Sequence, residues 1–254
     1  MSNNKNLEVS LLTPDQAEQY MLIRHTAFRH DINKILYANA PQYNPSPSTL
    51  SAVTSSIQDG ILNKGIIFTK CVETPPPTTA TISSSSSSET SPPTIIAGAR
   101  WTHYKPSPPS QPCTSPSPLP QTNLRTPADL DKDYTIPDPY PESNTAMWNE
   151  FFDLFHSVKR DVMGLRPFFK LDTLVTHPDH HRKGAGKALL EEGLRRVDEE
   201  GLECYLESSV MGRPLYERFG FVAVREISLD LTRWGGDEEI CWTIMRRPAK
   251  KCTE

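Results

Sequence analysis

Apolar residues recur with the spacing of secondary structure toward both ends of this chain and thin out in its middle. Leu7 to Leu12 reads as a short first strand, stopped by Thr13-Pro14-Asp15. Thr13 is placed to cap the helix that follows, with Pro14 at the first helical position and Gln16 three residues on. Ala17, Tyr20, Met21, Ile23, Ala27 and Phe28 then share one helical face, and Asp31 to Tyr37 continues as a second short helix. Ile66 to Val72 and Ile95 to His103 are rich in β-branched and aromatic residues and predict two strands, joined as a hairpin with an expanded turn.

From Thr145 the pattern becomes dense again. Met147, Trp148, Phe151, Phe152, Leu154, Phe155 and Val158 give a helix with a broad apolar face. Phe168 to Thr176 predicts a strand ended by His177-Pro178, and Gly184 to Glu200 a helix with Leu189, Leu190, Leu194 and Val197 on one side. A strand at Glu203 to Glu207, a short helix at Arg213 to Phe219 and strands at Phe221 to Leu231 and Ile240 to Met245 complete the order. Strands alternating with helices predict an α/β chain built on a mixed sheet, not a bundle or an all-β sandwich.

Composition sets the domain boundaries. Of 24 prolines in 254 residues, 19 fall between Pro41 and Pro141, where Ser and Thr are also dense. Such sequence buries too little apolar surface to offset about 1–2 kcal/mol of ordering entropy per residue. The expectation is one domain over residues 7–247, interrupted by low-complexity insertions at about 75–93 and 106–143, with short tails at 1–6 and 248–254. That leaves about 160 to 180 residues for a single core.

A formal net charge of −4 gives no global case for nucleic-acid binding. Cys71, Cys113, Cys204, Cys241 and Cys252 are odd in number, widely spaced and without a CxxC pair, which suits reduced thiols better than a disulfide framework or a zinc site. No secretory signal is visible at the polar start, and no apolar run approaches the ~20 residues that cross a bilayer. The expectation is a soluble intracellular, cytoplasmic protein with no membrane partner.

The chemistry concentrates between Leu174 and Leu190. There a strand runs through His177-Pro178 into two glycines at a helix start, Gly184 and Gly186, with Arg182, Lys183 and Lys187 around them. A helix start offers unpaired N–H groups and partial positive charge, and glycines let an anion approach the backbone closely. A Walker A loop fails twice, because His181 stands where its first glycine belongs and Ala188 follows Lys187. A dinucleotide fingerprint starting at Gly184 would need a small residue where Leu189 stands.

The stretch His181-Arg182-Lys183-Gly184-Ala185-Gly186, following a strand and Pro178, resembles the acyl-CoA motif of the GNAT superfamily of N-acyltransferases, with His181 in place of the family's Gln or Arg. Downstream, Leu215-Tyr216-Glu217-Arg218-Phe219-Gly220-Phe221 is similar to the family's Leu-Tyr-x-x-x-Gly-Phe signature. The resemblance implies a GNAT fold, a mixed and mostly antiparallel sheet splayed at the acetyl-CoA strand. It implies an acetyl-CoA-dependent N-acetyltransferase that acts by direct attack of an amine, with acetyl-CoA and an amine acceptor as its partners.

By the same resemblance, the backbone of Leu174, Val175 and Thr176 receives the thioester and pantetheine, and Arg182, Lys183, Gly184, Ala185, Gly186 and Lys187 cradle the pyrophosphate. Ser209 stands where relatives often carry an Asn that contacts CoA. Tyr216 is the expected general acid and Glu207 a candidate base. His177, His180 and His181 sit together on one turn without a matching His/Cys pair elsewhere, so no metal is expected. Cys204 reads as a buried strand residue, not a nucleophile. The rival from another class is a silent acyl-CoA-binding module whose partners dock on the Pro/Ser/Thr-rich insertions. The helices of the N-terminal part, the helix from Thr145 and the last hairpin are expected to set the acceptor, whose identity no motif reveals.

Overall fold

The computed structural model describes residues 7–74, 94–106 and 124–250. The expected insertion at about 75–93, most of the first half of that at 106–143, and the tails at 1–6 and 251–254 lie outside the described residues.

Among the described residues, seven strands form one sheet: β1 (Leu7–Leu11), β2 (Ile67–Glu73), β3 (Ile95–Tyr104), β4 (Phe168–Thr176), β5 (Glu203–Ser209), β6 (Val222–Asp230) and β7 (Glu239–Arg247), in the order β1-β2-β3-β4-β5-β7-β6. Every neighbouring pair is antiparallel except β4 with β5. The expected hairpin of β2 and β3 forms, and the α/β class with a mostly antiparallel mixed sheet holds.

Helices cover both faces. The amphipathic α6 (Ala185–Glu199) buries Leu189, Leu190, Leu194 and Val197 against Trp101, Phe169 and Leu171. Gly193 is what lets it come so close, because a Cβ there would stand 2.0 Å from the Trp101 ring. On the other face α1 (Ala17–Ala27) and α3 (Pro47–Leu62) enclose Phe68, Ile95 and Val175. Beside them α2 (Ile32–Leu36) and α5 (Thr145–Met163) cover Phe168, Tyr205 and Ile244. No helix among the described residues is long and apolar enough to cross a membrane.

The proline-rich middle departs from expectation. Pro47 opens the 16-residue helix α3, capped by Ser46 Oγ accepting from the Thr49 N–H at 3.3 Å. Pro127 opens α4 (Pro127–Asp133) in the same way after Thr126. At the first turn a proline lacks only an N–H that would be unpaired anyway, so it starts a helix instead of breaking one.

Residues 124–143, within the low-complexity insertion expected at about 106–143, are anchored to the domain at a few buried points. Arg125 is 4% exposed, pairs with Asp133 and stacks 5.2 Å from the Tyr104 ring centroid. Ser143 Oγ donates to Leu36 O at 2.6 Å, and Trp148 Nε1 to Pro137 O at 2.8 Å. Glu142 accepts from Ser46 N–H at 2.8 Å and Thr49 Oγ1 at 2.7 Å. Desolvation opposes its charge, but these hydrogen bonds prevail and hold its carboxyl at about 2.

Candidate active site

The sheet opens where β4 leaves β5. Their parallel pairing runs from Phe168↔Glu203 to Leu171↔Leu206 and stops there, while β4 continues along β3 to Thr176 and β5 along β7 to Ser209. The register with β3 skips one residue at that point: Trp101 faces Leu171 and Arg100 faces Thr173, so Asp172 is the extra residue of a β-bulge. A bulge bends its strand and increases the local twist. It sits immediately after the last residue that β4 pairs with β5, which gives the splay a local cause.

Beyond the bulge one edge of β4 has no sheet partner among the described residues. His177 N–H donates to Ile96 O at 2.8 Å on the β3 side. Alternation along an antiparallel strand then turns the N–H and C=O groups of Leu174 and Thr176 toward the gap. Val175 faces the other way in the backbone sense, and its side chain is buried between α1 and α3. Sequence reasoning grouped all three residues; the geometry separates Leu174 and Thr176 from Val175.

At the mouth of the gap β4 ends and α6 begins. Gly184 precedes the helix at φ +94°, and Ala188 N–H closes the first helical bond to Gly184 O at 3.0 Å. The N–H groups of Ala185, Gly186 and Lys187 therefore precede the helical ladder. A Cβ on Gly186 would meet only ordinary contacts, Leu215 Cδ2 at 3.7 Å and Thr176 Oγ1 at 3.8 Å, so packing within the chain does not demand glycine here. His181 Nε2 lies 3.1 Å from Thr176 O and ties the turn to the end of β4.

The cations of this turn differ. Lys183 Nζ stands 3.3 Å from Glu73 Oε2, and Lys187 3.4 Å from Glu191. Arg182 is exposed, at φ +62°, with no ion pair among the described residues. Exposed pairs are worth about 0–1 kcal/mol, so an arriving anion can compete for both lysines. His177 Nδ1 accepts from Asp179 N–H at 3.3 Å and His180 faces Glu73 at 3.4 Å; among the described residues no His, Cys, Asp or Glu group is arranged to hold a metal ion.

Inside the gap is a cavity of about 260 Å³ whose lining includes Leu174, Glu207, Ser209 and Tyr216. The expected catalytic pair and the expected cofactor strand thus meet in one space. Tyr216, on α7 (Arg213–Arg218), is 8% exposed and its ring stands edge-on to Phe221 at 5.8 Å. Burial first, then the neighbouring Cys204, pushes its phenol above the usual tyrosine range, so it is protonated at neutral pH. Ser209 Oγ is engaged locally, accepting from Gly212 N–H at 3.2 Å. Cys204 is fully buried and its thiol is also pushed up by burial.

Glu207 is less free than its sequence position suggests. Its side chain is 7% exposed and Lys170 Nζ lies 2.9 Å from its Oε1. Lys170 also lies 3.8 Å from Asp172, which in turn accepts from Thr102 Oγ1 at 2.6 Å. Burial disfavours the Lys170 charge, yet Glu207 and then Asp172 outweigh it and raise its pKa. Sequence reasoning missed this polar floor and also the aromatic wall of the cavity, Phe151, Phe152, Phe155 and Trp242. A larger, open cleft of about 740 Å³ lies at the far end of the sheet beside Lys64, His103 and Arg125, and none of the expected site residues lines it.

Residues 158–229, which span β4, the turn, α6, β5, α7 and most of β6, match the profile of the acetyltransferase (GNAT) domain. Over that segment the chain is similar to the GNAT acetyltransferases. An uncharacterized N-acetyltransferase of Schizosaccharomyces pombe is 34% identical over 91 residues, a match that covers 35% of this chain and 37% of the yeast protein, so the chain spans little more than a third of that relative. Among solved structures, a mosquito arylalkylamine N-acetyltransferase-like protein superposes with TM-score 0.57 at 14% identity over 95% of this chain and 99% of its own. The Drosophila melanogaster polyamine N-acetyltransferase that forms N-acetylagmatine gives 0.55 at 13% over 95% and 99%, and Aedes aegypti arylalkylamine N-acetyltransferase 2 gives 0.55 at 12% over 96% and 100%. These likenesses show that the chain shares the fold of those structures.

Proposed function

We propose that this protein transfers the acetyl group of acetyl-CoA to a primary amine within a ternary complex, as its likeness to GNAT acetyltransferases over residues 158–229 suggests. The observation that carries the reading is the opening of β4 from β5 directly above the start of α6, with Tyr216 lining the space between. In this reading the N–H groups of Ala185, Gly186 and Lys187 receive the pyrophosphate, joined by Arg182, Lys183 and the close approach that Gly184 and Gly186 permit. The pantetheine amides lie along the free edge of β4 at Leu174 and Thr176, with Val175 holding that strand to the core. Ser209 borders the same channel.

The amine nitrogen attacks the thioester carbonyl carbon; the C–N bond forms and the C–S bond breaks. A free N–H of β4 stabilises the oxygen as negative charge develops there. The proton lost by nitrogen leaves through Glu207 or a water beside it, and the departing thiolate takes a proton from the Tyr216 phenol. An amine that arrives as an ammonium must lose one further proton before it can attack. Holding both reactants in one gap supplies the orientation that such a transfer requires.

The experiment is an incubation of the full chain with carbon-labelled acetyl-CoA and a panel of amines, with free CoA and N-acetyl product quantified together. The reading requires labelled amide and CoA in equal amounts. Bound acetyl-CoA without amide formation would instead make the protein a silent acyl-CoA-binding module.

A further inference from the structure

Resting on the transfer reading above, we infer that the acceptor is a small primary monoamine carried on an aromatic body, which lies against Phe152, Phe155 and Trp242 with its nitrogen toward Glu207 and Tyr216. The wall opposite the free edge of β4 is built from rings. Phe151 and Phe155 lie 4.4 Å apart, and Phe155 stands edge-on to Trp242 at 5.0 Å. Phe151 and Trp242 are spent in the core, at 7% and 5% exposure. Phe152 and Phe155 are only half-buried and line the cavity. Ring surface left open inside a concave site is suited to a planar apolar body, which gains both burial and edge-to-face contact.

The charges in the lining argue against a polycation. Asp172 is already met by Arg100 at 3.5 Å and Lys170 at 3.8 Å, and Glu207 by Lys170 at 2.9 Å. Asp31 accepts only from its neighbour's backbone, Ile32 N–H, and has no ion pair among the described residues. Arg24 in the same lining adds a cation with no ion pair among those residues. A polyamine would bring two or more ammonium groups to a site with one unpaired carboxylate and a repelling guanidinium, leaving a charge desolvated without a partner. Size argues against a peptide. A cavity of about 260 Å³ falls below the ~300–1,000 Å³ of sites for drug-sized ligands, and the aromatic wall offers no partner to peptide amides.

The test compares kcat/KM of the full chain, with saturating acetyl-CoA, for 2-phenylethylamine, butane-1,4-diamine and an N-terminally blocked lysine tripeptide. The expected result is a preference of at least about tenfold for 2-phenylethylamine over both others. Phe155→Leu, with its folding checked by thermal melting, should raise KM for 2-phenylethylamine about threefold or more with kcat little changed, and leave KM for the diamine unmoved. Equal or better use of the diamine or the peptide overturns the inference while leaving the transfer reading intact. So does a Phe155→Leu protein that folds and keeps the wild-type preference. If Phe155→Leu does not fold, the wild-type panel decides alone. Acetyl-CoA binding without transfer to any amine overturns both.

Discussion

The Lys170 ammonium stands 2.9 Å from Glu207 Oε1, with the two side chains 14% and 7% exposed beneath the cavity where β4 parts from β5. A pair this buried is costly to break from one side, because the partner left behind is a desolvated charge. Lys170→Met should lower the unfolding free energy by about 3–5 kcal/mol. Adding Glu207→Leu should restore part of that loss, with a coupling of at least about 1 kcal/mol in a double-mutant cycle followed by urea denaturation. Additive losses would mean that the two groups do not hold each other.

Gly186 separates binding from folding. Its Cβ position has ordinary contacts only, so Gly186→Ala should keep or raise stability, by up to about 1 kcal/mol. Gly186→Asp should fold and lose acetyl-CoA affinity, since it sets a carboxylate where the pyrophosphate is proposed to lie. Gly184 is the poorer probe, because any side chain at φ +94° strains the backbone whether or not a ligand binds. Calorimetric titration with acetyl-CoA reads the outcome; a folded Gly186→Asp protein with wild-type affinity would remove the cofactor assignment.

Much of this architecture was legible in the sequence, and the exceptions share physical causes. The strand and helix periodicities of Phe168 to Phe221 were read nearly to the residue, because that segment is dense in apolar positions and its turns carry glycine and proline. The helix at Pro47–Leu62 and the buried anchors Arg125, Asp129 and Ser143 were lost to a compositional argument. Pro47 and Pro127 were counted with the low-complexity composition, whereas they initiate helices behind Ser46 and Thr126. The bulge at Asp172 depends on register between β3 and β4, which no local pattern encodes. For the same reason Glu207 was visible as a candidate base but its engagement with Lys170 was not.

Two half-buried histidines give stability a defined response to acid. His103 is held down at about 4 by burial and then by Lys105, and His156 at about 4 by burial, then Lys159 and Lys170. Unfolded histidine titrates near about 6.5. Between about 4 and 6.5 the unfolded chain therefore binds more protons than the folded one, and stability rises with pH across that window. The contribution is complete above about 6.5 and is lost as pH falls toward 4. Glu142, held at about 2, acts in a lower window. Denaturant titrations from pH 7.5 to 4.5 should show a steeper fall for the wild type than for a His103→Gln, His156→Gln double variant. Parallel curves would show that neither ring is kept neutral by the fold.

The claim that this gap performs acetyl transfer, and does not merely hold acetyl-CoA, is tested most directly at Tyr216. The phenol is kept protonated by burial, and Tyr216→Phe keeps the ring and its edge-on contact with Phe221 while removing the proton donor. The measurement is kcat for the best amine together with the acetyl-CoA dissociation constant, for wild type and Tyr216→Phe, under conditions where chemistry limits the rate. The account predicts a fall in kcat of at least about tenfold with an unchanged dissociation constant. Equal kcat in the two proteins, or a wild type that binds acetyl-CoA and turns over no amine, would contradict it.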